Sequence, residues 1–286
     1  GFYIPGGNIL TPGDPYRSVL FYRAAKLGPG RMPRMGSSVV DEAGLKLLHD
    51  WIAGLPTDTR IDRVDSPIDN LDASLATTSS ALQLMQRLSG DSSNEALRAQ
   101  IVTKVGQQPA HIRDLFERFL PEQQRTKRLG SVIQSGTILA MSGDAERGKA
   151  VFFQTSGVQC KSCHKIGSEG NDIGPDLSGI GKKYDRAKIL ENILQPSKEI
   201  DPKYRVHLLQ TVDGQVHTGL LVKNEPDEVV LKDAKGKLIS IPAEDVEQSV
   251  AQQQSMMPDL LLRDLTAEQV ADLIAYLRLQ KTGKSE

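Results

Sequence analysis

Cys160-Lys161-Ser162-Cys163-His164 constrains this chain more than any other run of residues. A C-x-x-C-H pattern spaces two thiols to add across the two vinyl groups of one porphyrin and sets the next imidazole against the iron, so it reads as the attachment run of a c-type haem. The chain has 2 cysteines, and this run uses both. That excludes a four-cysteine zinc centre and a disulfide framework. A thioredoxin-like redox pair needs a strand–helix–strand setting, and none follows. A Cys/His zinc site needs two more ligands at short spacing, and none is near. The expected cofactor is one covalent haem c, carried by Cys160 and Cys163, with His164 as proximal iron ligand.

The flanking residues predict helices. Asp144 is placed to cap a helix running to Phe153, with Val151, Phe152 and Phe153 as its apolar side. Gly148 inside that helix is costly unless another helix packs closely against it. Near the end of the chain, Thr266-Ala267-Glu268-Gln269 sets a cap with an acid in the first turn, and Val270, Leu273, Ile274 and Leu277 recur at helical spacing with Tyr276 beside them.

These stretches resemble a small class I cytochrome c. The resemblance implies that the terminal helix crosses the first at a glycine, with Gly148 and Tyr276 as the pair. It implies that Pro175, in Gly174-Pro175-Asp176-Leu177, offers its carbonyl to the second ring nitrogen of His164 and so orients the imidazole. On its residues alone, Gly174-Pro175 is also an ordinary turn. The sixth iron ligand is expected from Ser255-Met256-Met257-Pro258. Met257, directly before proline, is the expected distal ligand and Met256 the fallback, a thioether being a soft, neutral donor that favours ferrous iron. His207 and His217 are rivals, each within a strand pattern. His111 is a further histidine whose simpler role is a cap or a surface position.

The run from about residue 111 to 279 is similar to the haem-binding domain appended to large sugar- or alcohol-dehydrogenase-like proteins of planctomycetes and verrucomicrobia. His111-Ile112-Arg113-Asp114-Leu115-Phe116-Glu117-Arg118-Phe119, the attachment run, Gly174 to Leu177, Ile193-Leu194-Gln195-Pro196-Ser197-Lys198-Glu199-Ile200 and Ser255 to Pro258 carry the likeness. It implies an electron-transfer domain with covalent haem that works outside the cytoplasm. The implied partner is a redox protein or a fused dehydrogenase module.

Between about residues 201 and 250 the period changes from helix to strand. Tyr204 to Val212, Gln215 to Lys223, Glu228 to Lys232 and Leu238 to Pro242 read as four short strands, with Asp213-Gly214 as a hairpin signal. They predict a small antiparallel barrel or curled sheet inserted between the proximal and distal ligand segments, placed to shield the haem edge, to dock a partner, or only to lengthen the loop. The expected fold is therefore mainly α: a class I cytochrome c-like domain over 142–286 with this β insertion, preceded by a helical region over 58–141.

Residues 1–57 carry an echo of the chain end. Trp51 lies 19 positions after Met32, as Tyr276 lies 19 positions after Met257. Asp41 and Thr266 coincide as caps under that offset, and Leu48 falls on Leu273. This reads as the tail of a second cytochrome-like unit lacking its own C-x-x-C-H. The sequence begins at Gly1 with neither an initiator methionine nor a signal peptide, so the expectation is a fragment whose upstream half lies elsewhere. Within 58–141, Ala81 to Leu88, Ala96 to Val105 and Ala110 to Leu120 have helical periodicity, with Ser92-Ser93-Asn94 as one start signal.

The net charge of −1 argues against a generic nucleic-acid partner, and no apolar run is long enough to span a membrane. Lys161, Lys165, Lys182 and Lys183 form a candidate basic patch near the attachment run. Covalent haem attachment takes place outside the cytoplasm, so a periplasmic or otherwise exported location is expected. Two functions remain open on the residues: electron transfer through a His/Met haem, and a peroxidase-like enzyme or gas sensor with an open distal site. The second needs an acid–base residue over the iron, and none is evident.

Overall fold

The computed structural model describes residues 3–33, 39–57, 70–90, 95–155, 157–158 and 160–282. The chain forms two compact units, Gly1–Lys127 and Arg128–Glu286.

The first unit is helical: α1 (Val19–Ala25), α2 (Glu42–Ala53), α3 (Leu71–Ser74), α4 (Thr78–Gly90), α5 (Glu95–Val105) and α6 (Ala110–Phe116). Asp41 caps α2 by accepting the Gly44 N–H at 3.0 Å. One apolar core runs from Ile4 to Leu120 and includes Phe21, Ile52, Met85 and Phe116, so the first 57 residues share their core with the helices that follow. Lys26 Nζ and Asp114 Oδ2 meet at 3.0 Å inside this unit, with both side chains almost wholly buried. α6 stops at Phe116, where a 3-10 turn over Glu117–Phe119 takes over from the helix expected to reach Leu120. The start signal at Ser92 to Asn94 lies outside the described residues.

The second unit holds α7 (Ser135–Ala140), α8 (Ala145–Gln154), α9 (Ile180–Lys183), α10 (Arg186–Leu194) and α11 (Ala267–Leu279), with a short hairpin of β1 (Lys165–Ile166) and β2 (Glu169–Gly170). Asp144 caps α8 through the Arg147 N–H, and Thr266 and Gln269 form a reciprocal capping box at the start of α11. Val151, Phe152, Leu273, Ile274 and Leu277 belong to one buried core.

Between α10 and α11 lies an antiparallel sheet of β3 (Val206–Thr211), β4 (Val216–Asn224), β5 (Glu228–Lys232), β6 (Leu238–Pro242) and β7 (Val246–Ala251), in the order β6-β5-β4-β3-β7. The barrel considered from the sequence is corrected here to an open sheet with β6 and β7 at its edges, and no closed barrel occurs among the described residues. β7 was not expected, because nearly all its residues are exposed and it lacks the alternation that marks a half-buried strand. β3 starts two residues late because Asp201 caps a 3-10 turn over Pro202–Tyr204. Gly214 takes φ +82° in the expected hairpin turn, a conformation that favours glycine.

The two sheet faces pack differently. Leu209, Val229, Leu231 and Ile241 form one apolar cluster, joined by Leu221, Ile239 and Val246. On the other face, Val206 and Leu220 pack with Ile173 from the loop after the attachment run. Among the described residues no helix is long and apolar enough to cross a membrane.

Candidate functional site

A single tight turn assembles the attachment run. Cys160–Ser162 is a 3-10 turn, and the Cys163 and His164 N–H groups both donate to the Cys160 carbonyl, at 3.2 and 2.9 Å. Both thiols are free. Cys160 packs against the core of the second unit, and Cys163 against the cluster of Ile173, Val206 and Leu220. Burial pushes the Cys160 thiol up to about 12 and raises Cys163 as well. A reactive redox dithiol calls for a shift in the opposite direction. No group of three His, Cys, Asp or Glu side chains placed to hold a metal ion occurs among the described residues.

His164 is held from two sides. Its Nδ1–H donates to the Pro175 carbonyl at 2.9 Å, the contact implied by the cytochrome resemblance. Burial pushes the imidazole down in pKa, opposed by the Pro175 bond, so the ring is neutral and its lone pair sits on Nε2. Gly174 lies close against the ring: a Cβ there would stand 2.7 Å from His164 Cε1 and 2.9 Å from Nδ1. The Gly174 N–H donates to the Cys163 carbonyl at 2.7 Å.

The next residues brace that loop. The Ser178 N–H and Oγ–H both donate to Asp176 Oδ1, at 2.8 and 2.5 Å, and Ser178 Oγ accepts the Gly167 N–H at 2.8 Å. These Ser178 bonds, the side-chain one first, hold the Asp176 carboxyl below its usual pKa. The Leu177 N–H donates to the Lys165 carbonyl at 2.8 Å. Asp176 belongs to the Gly174–Leu177 run read from the sequence, whereas Ser178 gave no sequence signal beyond polarity.

Both methionines of the distal segment are half-buried. Met256 packs in the cluster that contains Cys163 and Ile173. The Met257 N–H donates to Ser255 Oγ at 3.1 Å, and the Ser255 N–H donates to Ser197 Oγ at 3.0 Å. His207 and His217 alternate with Val206 and with Thr218 and Leu220, so both lie on the sheet face opposite that cluster. His207 Nδ1 stands 3.4 Å from Ser249 Oγ. His111 belongs to the first unit, where its ring stacks on Tyr3 with centroids 4.4 Å apart. Of the candidate basic patch, Lys161, Lys182 and Lys183 are exposed and Lys165 is half-buried in β1.

The expected helix crossing is present. A Cβ on Gly148 would stand 2.8 Å from Tyr276 Cβ and run into the Asp272 carbonyl. Buried Asp272 ties the same crossing, accepting from Arg147 Nε at 2.7 Å, Arg147 Nη2 at 2.9 Å and the Asp144 N–H at 2.6 Å. A second close approach puts Gly181 of α9 against the end of α11, where its N–H donates to the Gln280 carbonyl at 2.9 Å and Arg278 donates to the Gly181 carbonyl. The sequence reading singled out neither Asp272 nor Gly181.

Two free thiols on one turn, a neutral imidazole with its Nε2 lone pair unspent, and a glycine that leaves room for the ring form a donor set that fits a covalent c-type haem. Comparison with known proteins agrees. A cytochrome c-553-like protein of Synechocystis sp. is 29% identical over 76 residues, which is 27% of this chain and 68% of that protein. The family model of cytochrome c matches residues 145–230, from the first residue of α8 into β5. Residues 145–230 are thus a cytochrome c family domain, which implies a covalent c-type haem, haem-based electron transfer and a redox partner.

Proposed function

We propose that this chain is an exported electron carrier holding one covalent haem c between His164 and Met257. The observation that carries the reading is the His164–Pro175 bond beside Gly174, which orients one imidazole and leaves Nε2 as its donor atom. The chemistry a bound haem c supplies is one-electron exchange at its iron. The protein's part is to attach the group through Cys160 and Cys163, hold His164 in one tautomer and present a thioether opposite it. Met256 is engaged in packing on Ile173, Val206 and Leu220, which favours Met257 as the sulfur donor.

The electron donor fits a sugar- or alcohol-dehydrogenase module, fused or separate, as the resemblance to planctomycete-type haem domains implies. In this reading the sheet of β3 to β7 is an insertion between the proximal and distal ligand segments. Residues 1–57 keep the Met–cap–aromatic spacing of the chain end and represent the tail of a second cytochrome-like unit.

Iron analysis and visible spectroscopy of purified holoprotein test this. One iron per chain is expected, with a far-red sulfur-to-iron band in the ferric form and no carbon monoxide shift on reduction. Met257→Ala should keep the attached haem, lose that band and admit carbon monoxide, while Met256→Leu, which keeps the packing but removes the sulfur, keeps the band. Two irons per chain, or loss of the band in Met256→Leu alone, would overturn the assignment.

A further inference from the structure

We infer that the sheet is a positioning device: the cross-strand pair Val206–Leu220, with Ile173 and Met256, ties the segment bearing Met257 to the loop that orients His164. The inference rests on the His164/Met257 reading above.

One row of residues crosses the sheet. Val206 on β3 is directly opposite Leu220 on β4, and Leu220 is opposite Lys232 on β5. Residues directly opposite one another share a face and touch. On the other flank, the Gln252 N–H donates to the Val206 carbonyl at 2.7 Å and carries the β3–β7 ladder one residue beyond Ala251. The row therefore begins on the strand that leads to the methionines and ends on β5.

Each end grips a part of the candidate haem site. Lys232 Nζ lies 3.2 Å from Asp172 Oδ2 and 3.3 Å from the Asp172 carbonyl. Ile173, the next residue, is buried against Val206 and Leu220. Gly174 and Pro175 follow at once, and they hold the imidazole. From Gln252 the chain runs four residues to Met256, whose side chain joins the same cluster, as do Cys163 and Tyr204. Three separated segments thus meet in one cluster with Val206 and Leu220: the attachment run through Cys163, the proximal loop through Ile173 and the distal segment through Met256. An anchored Met256 fixes the backbone from which Met257 projects, and the Ser255 and Ser197 hydroxyls hold that backbone further.

The consequence is kinetic and thermodynamic control of the sixth ligand. A thioether on a loosely tethered loop leaves its site open for a larger fraction of the time, and an external ligand binds in proportion to that fraction. Leu220→Ala should therefore raise the affinity of the ferric holoprotein for imidazole by about tenfold and weaken the far-red sulfur-to-iron band. Leu209→Ala is the matched control, since Leu209 is also buried, on the neighbouring strand β3, but faces the other cluster. It should lower thermal stability and leave imidazole affinity unchanged. Met256→Leu should keep the wild-type affinity and Met256→Ser should raise it, which keeps the test decisive if Leu220→Ala does not fold. Equal imidazole affinity in Leu220→Ala and wild type, or an equal rise in Leu209→Ala, would overturn the inference. Met257→Ala separates the two levels: if it too leaves affinity unchanged, the His/Met reading fails, whereas a rise in Met257→Ala alone sinks only the positioning role.

Discussion

Gly174→Ala isolates the contact that orients His164. The backbone of Gly174 is outside the left-handed region, so alanine meets no left-handed strain and its main effect is that of one added methyl. That methyl would stand 2.7 Å from His164 Cε1. Carbon atoms in contact prefer about 3.5 Å, so the ring has to retreat by roughly 0.8 Å. The Nδ1–H bond to Pro175, now 2.9 Å, then stretches beyond about 3.2 Å, where such bonds fade. A neutral hydrogen bond contributes about 1 kcal/mol. On a ligating imidazole this bond raises the basicity of the donor nitrogen and so favours ferric iron. Its loss should raise the midpoint potential by about 40 mV, since about 59 mV corresponds to a tenfold change for one electron. The assay is a spectroelectrochemical titration of the holoprotein beside Gly136→Ala, a control in α7 where a Cβ meets nothing within 4 Å. Haem content should be equal in both variants and the potential shifted only in Gly174→Ala. An unchanged or lowered potential refutes the close-approach reasoning.

Two further predictions concern stability. Gly148→Ala sets about 1 kcal/mol of gained helix propensity against overlap with the Asp272 carbonyl and Tyr276 Cβ, backbone-anchored atoms that no rotamer change can move. Overpacking of about 1–3 kcal/mol wins, and at about 2–4 °C per kcal/mol the melting temperature should fall by a few degrees; a raised value would mean that α8 and α11 are not in close contact there. Glu191, bonded to Lys188 at 2.8 Å and to Lys198, has its pKa lowered from 4.5 to about 2 by those side-chain bonds. A folded-state pKa below the unfolded one gives stability that is present above pH 4.5 and lost as pH falls toward 2. The melting temperatures of wild type and Glu191→Gln should therefore differ at neutral pH and converge across that window; a gap independent of pH would contradict the ion-pair origin.

What the sequence made legible is what local chemistry decides. Asp144 and Thr266 announce their helices because a cap is a contact within three residues. Gly148 announces the crossing because glycine inside a helix needs a compensating reason. Four strands show in their alternation and their glycine turns. Asp272 stays hidden because an acid on a helix surface looks solvated until α8 is laid across it and delivers Arg147. β7 stays hidden because its pairing with β3, not its own pattern, makes it a strand. Closure into a barrel depends on whether the edge strands meet, a non-local outcome that turn spacing does not encode.

The sheet also bears on the choice between a carrier and an open-site enzyme. An enzyme of the peroxidase type needs a side chain able to take and return a proton beside the reacting group. Of the residues that meet the attachment loop, Val206 and Leu220 cannot and Lys232 is paired with Asp172, while the phenol of Tyr204, just before β3, joins the same cluster. The two histidines of the sheet alternate out of that row onto the other face. A one-residue slip of β3 would reverse this, bringing His207 in and turning Val206 out, but β4 and β7 flank β3 and each holds the register from its own side. Cys163 is half-buried, with apolar contact on the side of Ile173, Val206 and Leu220. On the proposed reading, the face that packs Met256 is also the face that sets Val206 and Leu220 beside the attachment run, so shielding and ligand positioning would share one structural origin.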